Sequence, residues 1–173
     1  AETRVAGDRD RAHQKNLIYH LATGTGAPLE RVQARAILAT RILSLARGHS
    51  GIRPEALELL VTCLNRDLVP AIPERGTVGA SGDLTPLAHL ALAVMGEGRM
   101  LGADGPVPAA QALAEAGLEP LAPAGRDALA MVNGTAAMTG IAALSVPAAN
   151  RSLELAALLA TVNAEVFGAH AGF

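Results

Sequence analysis

The strongest constraint on the fold is a glycine-rich segment at residues 76–87, which reads GTVGASGDLTPL. Because glycine has no Cβ atom, a glycine at every third position predicts a close-packed backbone path that other residues would not follow. An apolar helical run from Leu87 to Met95 comes directly after the segment. The simplest interpretation is an ordinary loop before a helix, with Asp83 as the helix N-cap.

Familiar catalytic and phosphate-binding loops do not match this segment. A P-loop requires G-x-x-x-x-G-K-[ST], and the segment contains no lysine. A hydrolase nucleophile elbow requires G-x-S-x-G, whereas residues 79–83 read GASGD and place the second glycine one position early. A triad of Ser81, His89 and Asp83 is also rejected, because His89 falls in the middle of the predicted helix, where packing explains it.

The triplet Ala80-Ser81-Gly82 permits an internal cyclisation. The amide nitrogen of Gly82 can fold back onto the carbonyl carbon of Ala80, since glycine presents no side chain that would obstruct the attack. Ring closure expels one water, and loss of the Ser81 hydroxyl as a second water leaves an exocyclic methylene. The product is methylidene-imidazolone, an electrophile that the twenty side chains cannot supply.

This triplet and its flanks resemble the aromatic amino acid ammonia-lyases and aminomutases, which build methylidene-imidazolone from Ala-Ser-Gly. GTVG at 76–79 and DLTPLAHL at 83–90 carry the resemblance, which extends from Asn16 to about Asn163. It implies a mostly α fold of the ammonia-lyase superfamily. In that fold, long helices bundle into homotetramers whose chains share active sites. Residues 1–173 would be a single piece of the electrophile-bearing catalytic region.

A second segment, NLIYHLATG at 16–24, resembles the part of the family that lines the pocket for the substrate's aromatic ring. Family members that prefer tyrosine read His-Leu there, those that prefer phenylalanine Phe-Leu, and histidine ammonia-lyases Ser-His. The resemblance implies that His20, Leu21 and Leu84 bind substrate. A buried imidazole can hydrogen-bond a phenol hydroxyl that an apolar pocket would leave unsatisfied. Without the resemblance, His20 is explained as a satisfied core or boundary histidine.

A third segment, Asn133-Gly134-Thr135, follows a predicted helix that begins at about Arg126. Asn-Gly is a turn signal on general grounds. The resemblance implies that Asn133 reaches the electrophile and the amino acid end of the substrate. We expect a long helix from Thr135 to about Phe167, whose N-terminus directs partial positive charge at a carboxylate or a developing anion.

The resemblance implies non-oxidative deamination of L-tyrosine to p-coumarate and ammonia through the methylidene-imidazolone. A tyrosine 2,3-aminomutase and a histidine ammonia-lyase remain as alternatives, although His20-Leu21 argues against the second. A non-catalytic helical assembly piece with an uncyclised triplet is a third. The family's catalytic tyrosine matches nothing before His13, and its carboxylate-binding arginine comes from downstream of Phe173. We therefore expect an internal fragment of a longer enzyme that is inactive alone.

Composition and charge argue against several other classes of function. Net charge is −2 with no basic cluster, which argues against nucleic acid as a partner. The only cysteine, Cys63, allows no internal disulfide and fits a reducing cytoplasm. The histidines show no metal-ligand spacing, so we expect no metal. No apolar run approaches the roughly 20 residues needed to cross a bilayer, so we expect no membrane partner.

Hydrophobic periodicity and turn residues predict the secondary structure. In the helix expected from Pro28 to Arg47, the pattern places Val32 and Leu43 on the apolar face and Arg41 on the wetter face. A small β-hairpin is expected at about 99–107 around Asp104-Gly105. The remaining helices are expected at about 8–22, 54–65, 84–95 and 108–116, and the last helix is expected to be interrupted or kinked near Pro147.

Overall fold

The computed structural model describes residues 7–78, 82–170 and 172 of the chain, and these residues form a mostly helical structure, as predicted. The helices are α1 (Gly7–Leu21), α2 (Arg31–Leu45), α3 (Pro54–Asn65), α4 (Leu84–Val94), α5 (Ala109–Glu115), α6 (Asp127–Val132) and α7 (Ala136–Val166). The strands are β1 (Thr25–Pro28), β2 (Pro73–Arg75), β3 (Arg99–Leu101) and β4 (Pro106–Pro108).

The starts of α2 and α3 show how local signals set helix boundaries. α3 begins at Pro54 as predicted, because the fixed φ of proline suits the first helical position. Pro28, in contrast, does not open α2, and the prediction that it does is wrong: it is the last residue of β1. α2 begins only at Arg31, where the backbone N–H of Glu30 donates to the side chain of Gln33 at 3.2 Å.

Two antiparallel strand pairs complete the secondary structure of the described residues. β3 and β4 form the predicted hairpin, with Met100 opposite Val107. The pairing of β1 with β2 was not predicted, since both strands are short and lie far apart in the sequence. This second pair places the segment that follows α1 beside the segment that leads into the glycine-rich loop.

The core is built around α4. Its side chains are buried along almost its whole length, and it contacts both α1 and α6. Alanines alternate with larger aliphatic residues along α4, and small residues let neighbouring helices approach closely. The fully buried members include Leu87, Ala88, Leu90, Ala91 and Val94. α4 therefore fixes the end of the glycine-rich loop that precedes it.

The face that α2 buries differs from the predicted one. Arg41 is only 2% exposed, whereas Val32 and Leu43 are 52% and 68% exposed. The buried residues follow the i, i+3, i+4, i+7 pattern of one helical stripe: Ala34, Ile37, Leu38, Arg41, Ile42 and Leu45. The prediction failed because it assigned Arg41 by its charge, although its position lies in the middle of that stripe.

The start of α7 contacts α2 through backbone atoms. A Cβ atom added at Gly140 would lie 2.8 Å from the backbone nitrogen of Ile37, so a larger residue would force the two helices apart. The hydroxyl of Thr40 also donates to the carbonyl of Ala136 at 2.8 Å. These contacts set the position of the first turns of α7.

Contacts within the chain divide it into two units, Ala1–Ile141 and Ala142–Phe173. In the second unit α7 continues to Val166 without an interruption at Pro147, and its described residues are exposed. Contrary to our expectation, the stretch Asp127–Val166 is long and apolar enough to cross a membrane by length and composition alone. The core helix of a soluble protein meets the same criterion, so this finding does not assign the stretch to a membrane.

Asp127 provides a test of how α6 is anchored. Its fully buried carboxylate accepts hydrogen bonds from the backbone N–H groups of Arg53 and Ala124, both at 3.1 Å, and from Arg53 Nε at 2.7 Å. Replacing Asp127 with alanine leaves these donors without their acceptor. We expect Asp127→Ala to lower the free energy of unfolding by about 3 kcal/mol, measured by urea denaturation.

Asp104→Ala is the matched control, because Asp104 is exposed in the β3–β4 turn. It should change the free energy of unfolding by less than about 0.5 kcal/mol. Equal effects of the two substitutions would contradict the anchoring role of Asp127.

Candidate functional site

Gly82 is the described member of the triplet, and it packs against the turn between α6 and α7. Ala80 and Ser81, together with Gly79, lie outside the described residues. Gly82 has φ +111°, and an added Cβ atom would lie 2.5 Å from the carbonyl oxygen of Gly134. Both its conformation and its surroundings therefore require glycine at this position.

Asp83 ties the same loop to α7. The residue is 3% exposed, and its backbone N–H donates to the carbonyl of Gly134 at 2.7 Å. Its carboxylate accepts a hydrogen bond at 2.8 Å from the backbone N–H of Met138, in the first turn of α7. It occupies the N-cap position of α4 but makes no side-chain capping bond there. Asp83 thus caps α7 rather than its own helix.

This contact changes the interpretation of the α7 N-terminus. We expected this helix end to direct its partial positive charge at a carboxylate or a developing anion. The carboxylate found there belongs to Asp83, and its negative charge balances the partial positive charge of the helix end. A substrate carboxylate therefore needs a different cationic partner.

Asn133 ends α6, and its side chain is exposed. Its backbone carbonyl accepts a hydrogen bond from Arg41 Nη2 at 2.8 Å, and the same nitrogen donates to the carbonyl of Ala130. Burial lowers the pKa of the Arg41 guanidinium, which nevertheless stays protonated at physiological pH. Sequence reasoning missed Arg41, although its helical spacing from Ile37 and Leu38 was the available signal.

Two cavities adjoin Gly82. The smaller, of about 180 Å³, is lined by Leu21, Gly76, Thr77, Val78, Gly82, Leu84 and Thr85. The larger, of about 310 Å³, is lined by Leu29, Pro73, Glu74, Gly76, Thr77, Gly82, Asp83, Pro86, Thr135, Ala137, Met138 and Ile141. Leu21 and Leu84, both predicted to bind substrate, therefore line the same cavity as Gly82.

The other two predicted site residues do not line these cavities. Asn133 lines a separate cavity of about 120 Å³ together with Ser50 and Arg126. His20 is exposed, so the expectation of a buried imidazole is wrong for this chain. The buried stripe of α1 runs through Gln14 and Ile18, and His20 lies outside it.

Tyr19 is held at a different place. It is 45% exposed, and its hydroxyl donates to the carboxylate of Glu97, which also pairs with Lys15 at 2.7 Å. The hydrogen bond to Glu97 is the main cause that raises the pKa of Tyr19. Tyr19 is therefore poorly suited to act as a base, in agreement with its position outside the family's base-bearing segment.

His89 has the structural role expected for it. Its Nε2 accepts a hydrogen bond from the backbone N–H of Gly24 at 3.0 Å, which ties α4 to the segment between α1 and β1. Partial burial lowers the pKa of His89 and favours the neutral, accepting form. His89 is thus a structural residue, and it is not among the residues that line the two cavities.

The part of the chain that the structure describes contains neither a cluster of metal ligands nor a reactive thiol. No group of three His, Cys, Asp or Glu side chains there could hold a metal ion. Cys63 is fully buried, and burial raises its pKa to about 11. A thiol in that environment is protonated and inert at neutral pH.

A known class of protein combines such a glycine-rich loop with the helix contacts described above. The sequence matches the aromatic amino acid lyase family over residues 1–173. The chain belongs to this family of aromatic amino acid ammonia-lyases and aminomutases.

Individual relatives differ in the substrate that they are named for. The chain is 47% identical to a histidine ammonia-lyase from Stigmatella aurantiaca, over 100% of the chain and 34% of that protein. It is also 47% identical to a tyrosine ammonia-lyase from Cereibacter sphaeroides, over 90% of the chain and 31% of that protein. Its length is thus about a third of that of these curated relatives.

Among solved structures, the chain is similar to a tyrosine aminomutase from Streptomyces globisporus, with a TM-score of 0.79 and 43% identity. The match covers 84% of this chain and 27% of that one. This likeness bears out the expected ammonia-lyase fold.

The contact of Gly82 with Gly134 yields a prediction about stability. Gly82→Ala adds a Cβ atom that overlaps the Gly134 carbonyl and strains the backbone. Gly105→Ala is the matched control, because Gly105 has φ +132° but nothing within 4 Å of an added Cβ. We expect Gly82→Ala to cost about 2 kcal/mol more in unfolding free energy than the control. Equal costs in urea denaturation would contradict the packing constraint.

The His89–Gly24 bond yields a prediction about pH. Because the pKa of His89 is lowered in the folded chain, the unfolded chain binds the proton more readily. The contribution of His89 is complete above its unfolded pKa, about 6.5, and is lost as the pH falls through the lower folded-state value. We expect His89→Gln to reduce the loss of stability on acidification in denaturation curves between about pH 7 and pH 5.

His13→Gln is the control for this experiment, since His13 is exposed on α1. It should leave the acid-dependent slope unchanged. A slope that is the same in His89→Gln and in the unsubstituted chain would show that His89 does not carry the effect.

Proposed function

We propose that this chain is part of an enzyme that deaminates L-tyrosine to p-coumarate and ammonia. The observation that carries the proposal is the cavity in which Gly82 lies beside Leu21 and Leu84. Family membership supplies the reaction class, and the pair His20-Leu21 favours tyrosine. The exposed position of His20 requires that further protein or the substrate covers it in the complete site.

The electrophile of this proposal is methylidene-imidazolone formed from Ala80-Ser81-Gly82. The described residue fits this group, because Gly82 has no room for a side chain and adopts a positive φ. The group would supply an electrophilic carbon for the amine of the substrate. Gly82 is fixed from two sides, by the Gly134 carbonyl and by the bonds of Asp83, so the end of the loop that leads into α4 is held in place.

The described residues would bind different parts of the substrate. Leu21 and Leu84 present apolar walls to an aromatic ring, and burial of such a ring contributes to binding. The family resemblance assigns the Asn133 amide to the amino acid end of the substrate, although Asn133 lines a separate cavity in this chain. Asp83 repels a second carboxylate at the α7 N-terminus, so the substrate carboxylate needs a cationic partner elsewhere.

The assembly is proposed to be a cytoplasmic homotetramer that binds neither nucleic acid nor membrane and needs no metal. Support comes from the second unit, whose described helical residues include exposed apolar side chains such as Leu153, Leu158 and Val162. Exposed apolar side chains on a helix favour packing against other helices. The net charge of −2 offers little attraction to a polyanion.

Two alternatives share the electrophile. A histidine ammonia-lyase is favoured by the relative from Stigmatella aurantiaca, which is as similar to the chain as the tyrosine ammonia-lyase. A tyrosine aminomutase is favoured by the similar structure from Streptomyces globisporus. These alternatives differ in the substrate consumed or in the product formed.

The first experiment measures the intact mass of the complete enzyme of which this chain is a part, and of its Ser81→Ala variant, followed by assays with L-tyrosine, L-phenylalanine and L-histidine. We expect the unsubstituted protein to have lost two waters and to release p-coumarate from tyrosine. Ser81→Ala should do neither, because it lacks the hydroxyl that leaves. Formation of β-tyrosine would establish the mutase, and turnover of histidine alone would establish the histidine ammonia-lyase.

His20→Phe tests substrate choice in the same assays. Removing the polar partner of the phenol hydroxyl should lower kcat/KM for tyrosine by about tenfold or more while phenylalanine gains. Ring formation should be unchanged in the intact mass. An unaltered preference would show that His20 does not select the substrate. An intact mass without loss of water in the unsubstituted protein would reject the catalytic proposal altogether.

A further inference from the structure

Arg41 is a buried cation without an acidic partner in the described chain. It is 2% exposed, and none of the ion pairs among the described residues includes it. Its Nε has no hydrogen-bond partner there either. Burying a charge in this way is costly, so its neighbours must stabilise it. The groups that surround Arg41 therefore indicate what its charge stabilises.

The donors of Arg41 are directed at the end of α6. Nη2 donates to the carbonyls of Ala130 and Asn133. The last carbonyls of a helix lack partners within the helix and carry partial negative charge. A guanidinium at this end both satisfies the carbonyls and finds compensation for its own charge.

The same side chain packs against Gly134. An added Cβ atom at Gly134 would collide with Nη1 of Arg41. On its other side, Gly134 presents its carbonyl to Gly82 and to the backbone N–H of Asp83. The Asn133–Gly134 turn is thus held between the Arg41 guanidinium and the loop that contains the triplet.

We propose that Arg41 is a positioning residue, whose planar guanidinium orients the Asn133–Gly134 turn, so that Gly82 is seated for cyclisation and the backbone that carries the Asn133 side chain is fixed. This inference rests on the proposed function, since it assigns the role through the electrophile and Asn133. Arg41 contacts Ala130, Asn133 and Gly134, so its proposed effect on Gly82 is transmitted through the turn. Two carbonyls and a glycine are contacted by one flat, forked group, which the single ammonium of lysine cannot reproduce.

The test uses the purified enzyme with Arg41→Lys, Arg41→Met and the control Arg35→Met. Arg35 lies on the same helix, but it is half exposed and pairs with Asp67 away from the turn. We expect Arg41→Met to reduce the fraction of protein that has lost two waters, measured by intact mass. Arg35→Met should be fully converted.

Arg41→Lys separates positioning from a merely structural role. We expect it to convert the triplet but to lower kcat by about tenfold to a hundredfold with little change in KM, because the amide of Asn133 is misplaced. In an Asn133→Ala background, Arg41→Lys should then lower kcat by less than about twofold, since the group that it orients is gone.

The outcomes distinguish this inference from the proposed function. An unsubstituted enzyme that neither loses water nor turns over substrate rejects the proposed function, and the Arg41 role falls with it. An active unsubstituted enzyme, with Arg41→Lys converted and equally active, overturns the Arg41 role alone. Equal losses from Arg41→Lys in both backgrounds also overturn it. If Arg41→Met does not fold, Arg41→Lys and the double variant decide the question.

Discussion

The backbone contact between Gly82 and Gly134 is the constraint on which the rest of the site depends. It requires that neither residue carry a side chain, because one would meet the opposite carbonyl and the other would meet Arg41. Asp83 then adds hydrogen bonds to Gly134 and to Met138, so the start of α4 is joined to the end of α6 and to the start of α7. Three helix ends thus converge on one loop, and their partial charges are balanced by Asp83 on one side and Arg41 on the other.

Close backbone packing recurs around this centre. Gly140 brings α7 against α2, and Gly24 is hydrogen-bonded to His89 behind the glycine-rich loop. At each place the absence of a Cβ atom allows a contact that fixes the relative positions of two elements. The described part of the site is therefore held largely by close backbone contacts.

The sequence predicted the local features well, because periodicity and turn chemistry act over a few residues. The helix Pro54–Asn65 and the hairpin around Asp104-Gly105 follow directly from such signals.

The features that the sequence did not predict depend on partners that are distant in the chain. The carboxylate of Asp83 bonds a residue 55 positions away, and Arg41 bonds Asn133 from 92 positions away. The helical spacing of Arg41 from Ile37 and Leu38 indicates burial, whereas its charge indicates exposure, and the tertiary structure decides between these two signals. The exposure of His20 likewise follows from how α1 is rotated, which composition does not encode.

The distance in sequence between Asp83 and Met138 also determines when their contact can form during synthesis of the chain. A ribosome adds about 5–20 residues per second, so the triplet is made several seconds before the turn that seats it. During that interval Gly82 has no Gly134 carbonyl to pack against, and the amide of Asp83 has no such acceptor to bind. These contacts consequently form only when α6 and α7 fold, and not when the glycine-rich segment is synthesised. A nascent chain that stops before Gly134 carries the complete triplet and yet lacks the turn that contacts Gly82.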